Sequence, residues 1–166
     1  KPIRFVLLDE VDKYPPRSGG GKEADPISLA RERTNTFSYN KKIFITSTPT
    51  LKTGAIWREW ESCTRQLFFY VPCPHCGRMQ RLRFHQLKFP KEGSKTERSA
   101  AAYYECPYCQ GKISDADKHR MLQLGQWMIE GETEGTRVSP KKTGFALNAI
   151  YSPWLSFADV AYKWLD

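Results

Sequence analysis

The chain has 166 residues, with 26 Lys and Arg against 18 Asp and Glu and a formal net charge of +8. That length suits one medium domain or a core with a small module, and the basic balance suits a polyanionic, phosphate-bearing partner. Its longest apolar runs, residues 5–8 and 67–71, are far too short to cross a bilayer, so no membrane partner is expected.

The chain opens on Lys-Pro without Met and stops inside a helix-like pattern, so we read it as a piece of a longer protein, and the lack of a signal peptide is uninformative. The run from Ile3 to Leu8 ends in Asp9-Glu10 and reads as a strand buried on both faces, as in a parallel sheet. A loop rich in Pro and Gly follows, from Tyr14 to Gly21. Asp25-Pro26 then supplies the N-cap and first position of a helix expected to run to about Phe37. Lys42 to Ser47 is a second buried strand, which makes an α/β fold with a βαβ unit and a right-handed crossover. After Thr48-Pro49-Thr50, a helix places Ile56, Trp57 and Trp60 on one face.

A buried strand ending in two acids is the Walker B pattern, and the carboxyl ends of strands are where α/β folds place ligands. There Asp9 can hold a Mg²⁺ that bridges nucleotide phosphates, usually through water, and Glu10 can orient or deprotonate the attacking water. Strands also end in acids simply because they reach solvent. The second strand ends in Ser47-Thr48-Pro49-Thr50, whose hydroxyls can sense a phosphate, although an ordinary Thr-Pro turn would look the same. Two polar ends in one βαβ unit favour the nucleotide reading. Gly19-Gly20-Gly21-Lys22 only imitates a phosphate loop: Pro16 stands five positions before Gly21, and Glu23 replaces the required hydroxyl.

Two matched turns follow, Cys73-Pro74-His75-Cys76-Gly77 and Cys106-Pro107-Tyr108-Cys109-Gln110, separated by 29 residues, 77–105. Each aims two thiolates at one point, and together they complete the four-sulfur shell of a structural Zn²⁺. A redox site needs only one such turn. This is the pattern of a zinc ribbon, with the polar run 91–99 as a loop tip. Thiols reserved for metal suit a reducing compartment, and the odd Cys63 reads as a small core hydrophobe. Between Cys63 and Arg120 there are 11 basic and 5 acidic residues. Either those cations, Arg78, Arg81, Arg83 and Lys88 among them, face nucleic-acid phosphates, or they balance the thiolates. Alternation in Gln80-Arg81-Leu82-Arg83 puts both arginines on one solvent-facing side.

Ser114 caps the next helix, with Asp115 and Asp117 in its first turn and Gly125 at its end. Gly144 to Ile150 reads as a returning strand. Ser156 starts a last helix that buries Phe157, Val160, Ala161, Trp164 and Leu165. All five tryptophans lie outside the ribbon, which suggests a large-core domain carrying a metal-stabilised insert.

In order, Leu7-Leu8-Asp9-Glu10-Val11-Asp12-Lys13-Tyr14-Pro15, Arg33-Thr34, Ser47-Thr48-Pro49-Thr50, Ile56-Trp57-Arg58-Glu59, the two knuckles, Gly125-Gln126-Trp127 and residues 144–154 resemble the large terminase subunit of tailed bacteriophages, of the lambda gpA type. The resemblance covers nearly the whole chain. It implies a DNA-packaging motor with an N-terminal P-loop ATPase of the additional-strand class and a C-terminal nuclease. By resemblance, Asp9 is the Mg²⁺ carboxylate, Glu10 the catalytic carboxylate, and Ser47, Thr48 and Pro49 the motif coupling hydrolysis to movement.

The same resemblance divides the chain into the C-terminal half of the ATPase core (1–65), a zinc-ribbon insert (66–113), and a segment of helix, returning strand and linker towards the nuclease (114–166). The phosphate loop and nuclease carboxylates have no matching positions, so the piece alone is expected to be inactive. ATP, Mg²⁺ and structural Zn²⁺ are the implied cofactors. Double-stranded DNA, the small subunit and the portal of the procapsid are the implied partners, in the host cytoplasm. A helicase-type ATPase and a zinc-ribbon binding module without catalysis are the competing readings.

Overall fold

Two parallel strands organise the first part of the chain. β1 (Phe5–Leu8) pairs with β2 (Lys42–Ile45) in parallel, from Phe5 against Lys42 to Leu8 against Ile45. Between them lies α1 (Pro26–Glu32), started by Asp25, whose Oδ1 accepts from the amides of Ile27 (3.0 Å) and Ser28 (3.1 Å). The helix stops well short of Phe37. Thr34 turns its hydroxyl back onto the Arg31 carbonyl at 2.7 Å, and residues 35–37 continue as a tighter 3-10 turn. Thr and Asn compete for backbone groups in this way and make poor helix interiors.

The computed structural model describes residues 1–15, 24–130 and 142–165, so the Gly19–Lys22 run lies outside the described residues. The chain divides into two units, Lys1–Cys63 and Thr64–Asp166. In the first, the strands are not buried on both faces as expected. Val6 points inward, while Phe5 and Leu7 are 61% and 71% exposed. A parallel strand is covered twice only where helices or strands pack on both faces, and this pair is covered on one. α2 (Ala55–Glu61) closes the unit.

The second unit is built on the long strand β3 (Arg65–Pro72). It pairs antiparallel with β4 (Met79–Arg81) and β8 (Gln126–Ile129), and parallel with β9 (Thr143–Ala146). A second sheet joins β5 (Leu87–Lys88), β6 (Tyr103–Glu105) and β7 (Lys112–Ile113), all antiparallel. The polar run at 91–99 is not a bare loop tip. It holds α3 (Lys95–Ala100), started by a capping box in which Ser94 N donates to Glu97 Oε2 (2.9 Å) and Glu97 N to Ser94 Oγ (3.3 Å).

One core runs through this unit. Val71 and Tyr104 from the sheets and Leu82, just past β4, pack with Met121 of α4 (Asp115–Gln123) and with Phe157 and Val160 of α5 (Phe157–Trp164). Tyr104 stacks on Phe157 with ring centroids 5.9 Å apart. The Tyr151 hydroxyl accepts from Leu82 N (2.7 Å) and donates to Phe69 O (2.5 Å). The start of α4 grips the start of α5: Asp115 Oδ1 accepts from Phe157 N (2.9 Å), and Lys118, only 3% exposed, donates to Leu155 O (2.6 Å). The tryptophans do not form a large core, since Trp154 is 89% and Trp164 63% exposed. Small aliphatic and Tyr/Phe side chains around the cysteines take that place.

A four-cysteine cluster and a carboxylate-bearing strand end

Each cysteine pair sits in the turn of a hairpin. In the first, Cys73 N donates to Arg78 O and Gly77 N to Cys73 O, both at 2.9 Å. In the second, Cys106 N donates to Gly111 O (3.1 Å) and Gln110 N to Cys106 O (2.9 Å). These reversals, between β3 and β4 and between β6 and β7, bring the turns face to face. The four sulfurs lie within 4.8 Å of one another, with Cys73 Sγ to Cys109 Sγ at 3.8 Å and Cys76 Sγ to Cys106 Sγ at 3.9 Å. A tetrahedron of sulfurs each ~2.3 Å from a Zn²⁺ has edges of about 3.8 Å. The donor set and spacing therefore fit a closed structural zinc site, and the cluster can hold such a metal.

Burial pushes the Cys73 thiol up to about 12. Burial also opposes ionisation of Cys106, but the amides of Cys109 and Tyr108 bring it down to about 7. His75 does not join the four sulfurs that converge. Its Nε2 lies 2.7 Å from the Lys112 carbonyl, which can only accept, so that nitrogen carries the proton and ties the first knuckle to the second. Gly111 lets it do so: a Cβ there would stand 2.6 Å from His75 Cδ2. Cys63 belongs to the first unit, where its thiol donates to Glu59 O at 3.2 Å.

Of the basic residues singled out in the sequence, Arg81 and Arg83 do share a side, and both converge on Glu130, Arg81 at 2.9 Å. Arg81 also lies 3.6 Å over the Phe68 ring. Arg78 is exposed at the first knuckle, over Tyr108 at 5.4 Å, and Lys88 donates to His85 O at 3.0 Å.

The first unit places its candidate residues at one edge. Because β1 and β2 are parallel neighbours, Asp9-Glu10 and Ser47-Thr48-Pro49 both leave the carboxyl ends of their strands. Asp9 and Glu10 are exposed, and Asp9 Oδ1 accepts from Glu10 N at 2.9 Å. Glu10 itself has φ +54, a conformation that side-chain-bearing residues rarely hold, and its carboxylate pairs with Lys13. Sequence reasoning assigned no role to Asp12. Its N donates to Ser47 Oγ (3.2 Å), and its carboxylate accepts from Ile56 N (2.8 Å), Thr50 N (3.0 Å) and Thr50 Oγ1 (3.1 Å). The Ile56 amide, followed by Thr50, holds this carboxyl below the usual aspartate value against the opposing effect of burial. No spacing rule signals such an acceptor, because its donors lie 38 and 44 residues away.

Residues 1–127 match the family described as phage terminase large subunit gpA, ATPase domain. The chain belongs to that family. The terminase large subunit of Enterobacteria phage P21 is 26% identical over 179 aligned residues, covering all of this chain and 27% of that protein. No solved structure matches the chain. The stretch matched to the terminase ATPase domain includes both strand ends and all four cysteines. Among the described residues of this terminase segment, no helix is long and apolar enough to cross a membrane.

Proposed function

We propose that the chain is the carboxylate-bearing half of a terminase ATPase core of the P-loop, additional-strand class (1–65), followed by a zinc ribbon (66–113) and a segment leading towards a nuclease (114–166). In this reading Asp9 holds the Mg²⁺ of a bound Mg²⁺–ATP through water. Glu10 orients and deprotonates the water that attacks the γ-phosphate. Ser47, Thr48 and Pro49 pass the loss of that phosphate to the chain that follows. The observation that carries the reading is the shared edge: two parallel strands deliver the acidic pair and the hydroxyl-bearing segment side by side.

The phosphate-binding loop and the nuclease carboxylates belong to other parts of the longer protein, so this chain alone does not hydrolyse ATP. The whole protein packages, and cuts, double-stranded DNA in the host cytoplasm, working with the small subunit and the portal of the procapsid. The four cysteines hold one Zn²⁺ that pins the facing knuckles beside the hydrophobic core they share with α4 and α5. Arg78, Arg81, Arg83 and Lys88 contact DNA phosphates in this reading. For Arg81 and Arg83 that requires exchanging Glu130 for phosphate.

The assignment is tested in the full-length terminase large subunit. Glu10→Gln should abolish ATP turnover while leaving nucleotide binding nearly intact, and Asp9→Asn should weaken Mg²⁺-nucleotide binding instead. Parental turnover in both variants would refute it.

A further inference from the structure

We propose that Asp12 is a positioning residue: it ties the turn that carries Glu10 to residues 47–56, so that a change at the nucleotide-facing end of β1 moves that segment as one piece. This deepens the proposed function and rests on the reading of Glu10 as the carboxylate that acts on water.

Residues 10–13 form a single closed turn. Glu10 starts it in the left-handed region, residues 11–13 make a 3-10 turn, and Lys13 N donates to Glu10 O at 2.9 Å. Val11 is buried, its amide 3.4 Å from Thr46 O. A turn fixed at both ends and anchored in its middle cannot shift Glu10 without shifting Asp12. From that turn, Asp12 makes four hydrogen bonds onto residues 47–56, through Ser47, Thr50 (twice) and Ile56. Thr48, Pro49 and Thr50 are otherwise exposed. An ionised carboxylate accepting backbone amides is a strong, directional tie.

Gly54 shows how closely the segment wraps this carboxylate. A Cβ at that position would lie 2.5 Å from Asp12 Oδ2. The Ser47 hydroxyl, the natural candidate for sensing a phosphate directly, accepts instead from the Asp12 amide. It therefore reports on the Glu10 turn. Backbone bonding joins the end of β1 to Thr46, and the Asp12 carboxylate carries the connection on to Thr50 and the first turn of α2.

Hydrogen–deuterium exchange tests the link in the full-length terminase large subunit, with and without Mg²⁺ and ATPγS, for the parent, Asp12→Asn and Thr50→Val. Asn keeps one oxygen for the Ile56 amide but turns an NH₂ towards the Thr50 amide, and Val removes only the hydroxyl bond. In the parent, nucleotide should change exchange at residues 47–56 by at least about fivefold. That change should shrink at least about twofold in Asp12→Asn, which loses the charge and the Thr50 amide bond, and by less in Thr50→Val, with the KM for ATP within about twofold of the parent.

A nucleotide response undiminished in Asp12→Asn overturns the proposal, and so does a parent that shows none. Equal loosening of the β1 and β2 amides in Asp12→Asn also overturns it, because Asp12 would then be a staple of the fold alone. Turnover by Glu10→Gln, measured in parallel, bears only on the underlying assignment. Parental turnover there would remove Glu10 from catalysis and leave the exchange result to stand or fall separately.

Discussion

Gln110 occupies in the second knuckle the left-handed position that Gly77 occupies in the first, with φ of +57 and +72. Both residues donate their amides back to the first cysteine of their turn. Only glycine takes this conformation without a steric cost, which for other residues is roughly 1–2 kcal/mol. Gln110→Gly should therefore stabilise the second unit, by about 0.5–1 kcal/mol once the greater freedom of glycine in the unfolded chain is subtracted. Denaturant unfolding of the zinc-loaded protein checks it. Equal or lower stability would mean that the Gln110 side chain makes contacts worth as much as the strain.

Elemental analysis should find one zinc per chain, bound through Cys73, Cys76, Cys106 and Cys109. The shared core extends the consequence of losing it. Tyr104 lies two residues before Cys106 and stacks on Phe157, so Cys106→Ser or chelation should expose amides of α5 as well as of both hairpins. Exchange measurements confined to residues 66–113 would miss this. If α5 stayed protected in the metal-free protein, the core would not depend on the metal.

The acid limb of stability should carry the signature of Asp25. Ser28, through its hydroxyl, lowers this carboxyl below its ordinary value of 3.8, burial opposes the shift, and the Ser28 and Ile27 amides add to it. A carboxyl lowered on folding contributes stability that is complete above its unfolded pKa and is lost as pH falls through the folded one. The first unit should thus lose this contribution only below about pH 4. Asp25→Asn keeps an N-cap without a titrating group and should flatten that limb, whereas Asp25→Ala should cost about 1 kcal/mol at neutral pH. Unfolding curves between pH 2 and 7 decide between these outcomes.

The convergence of Arg81 and Arg83 on Glu130 gives the DNA proposal a two-sided test. Replacing both arginines with Gln should reduce the log–log salt slope of duplex binding by up to about 2, and Glu130→Gln should increase affinity by releasing them. If neither change moved the slope, the arginines would serve the β3–β4 hairpin through Glu130 and Phe68, not DNA.

How far the sequence could be read depended on the range of each interaction. Asp25-Pro26, Ser114 with Asp117 and Ser156 act on amides two or three residues away, and the structure starts its helices there. The cysteine pairs are also local signals, and their sulfurs meet. Ser94-x-x-Glu97 was legible by the same rule but was hidden in a run of polar residues that resembles a loop. Long-range features were not legible. Nothing near Asp12 announces Thr50 or Ile56, and nothing near Arg81 announces Glu130. The expectation of strands buried on both faces failed for a related reason: apolar composition shows that Phe5 and Leu7 need cover, not what supplies it.

The union of the knuckles and α5 in one core also sets an order of events during synthesis. The sulfur ligands leave the ribosome well before Phe157, so the metal can be captured while Tyr104 still lacks its stacking partner. Until α5 arrives, a captured metal would have only the hydrogen bonds of the turns and the His75–Lys112 contact to help it hold the two hairpins, with the face of Tyr104 in water. The helix then closes over a centre already assembled. A chain made in zinc-poor cells would instead present that face to other unfinished chains, and aggregation would compete with maturation at the last step.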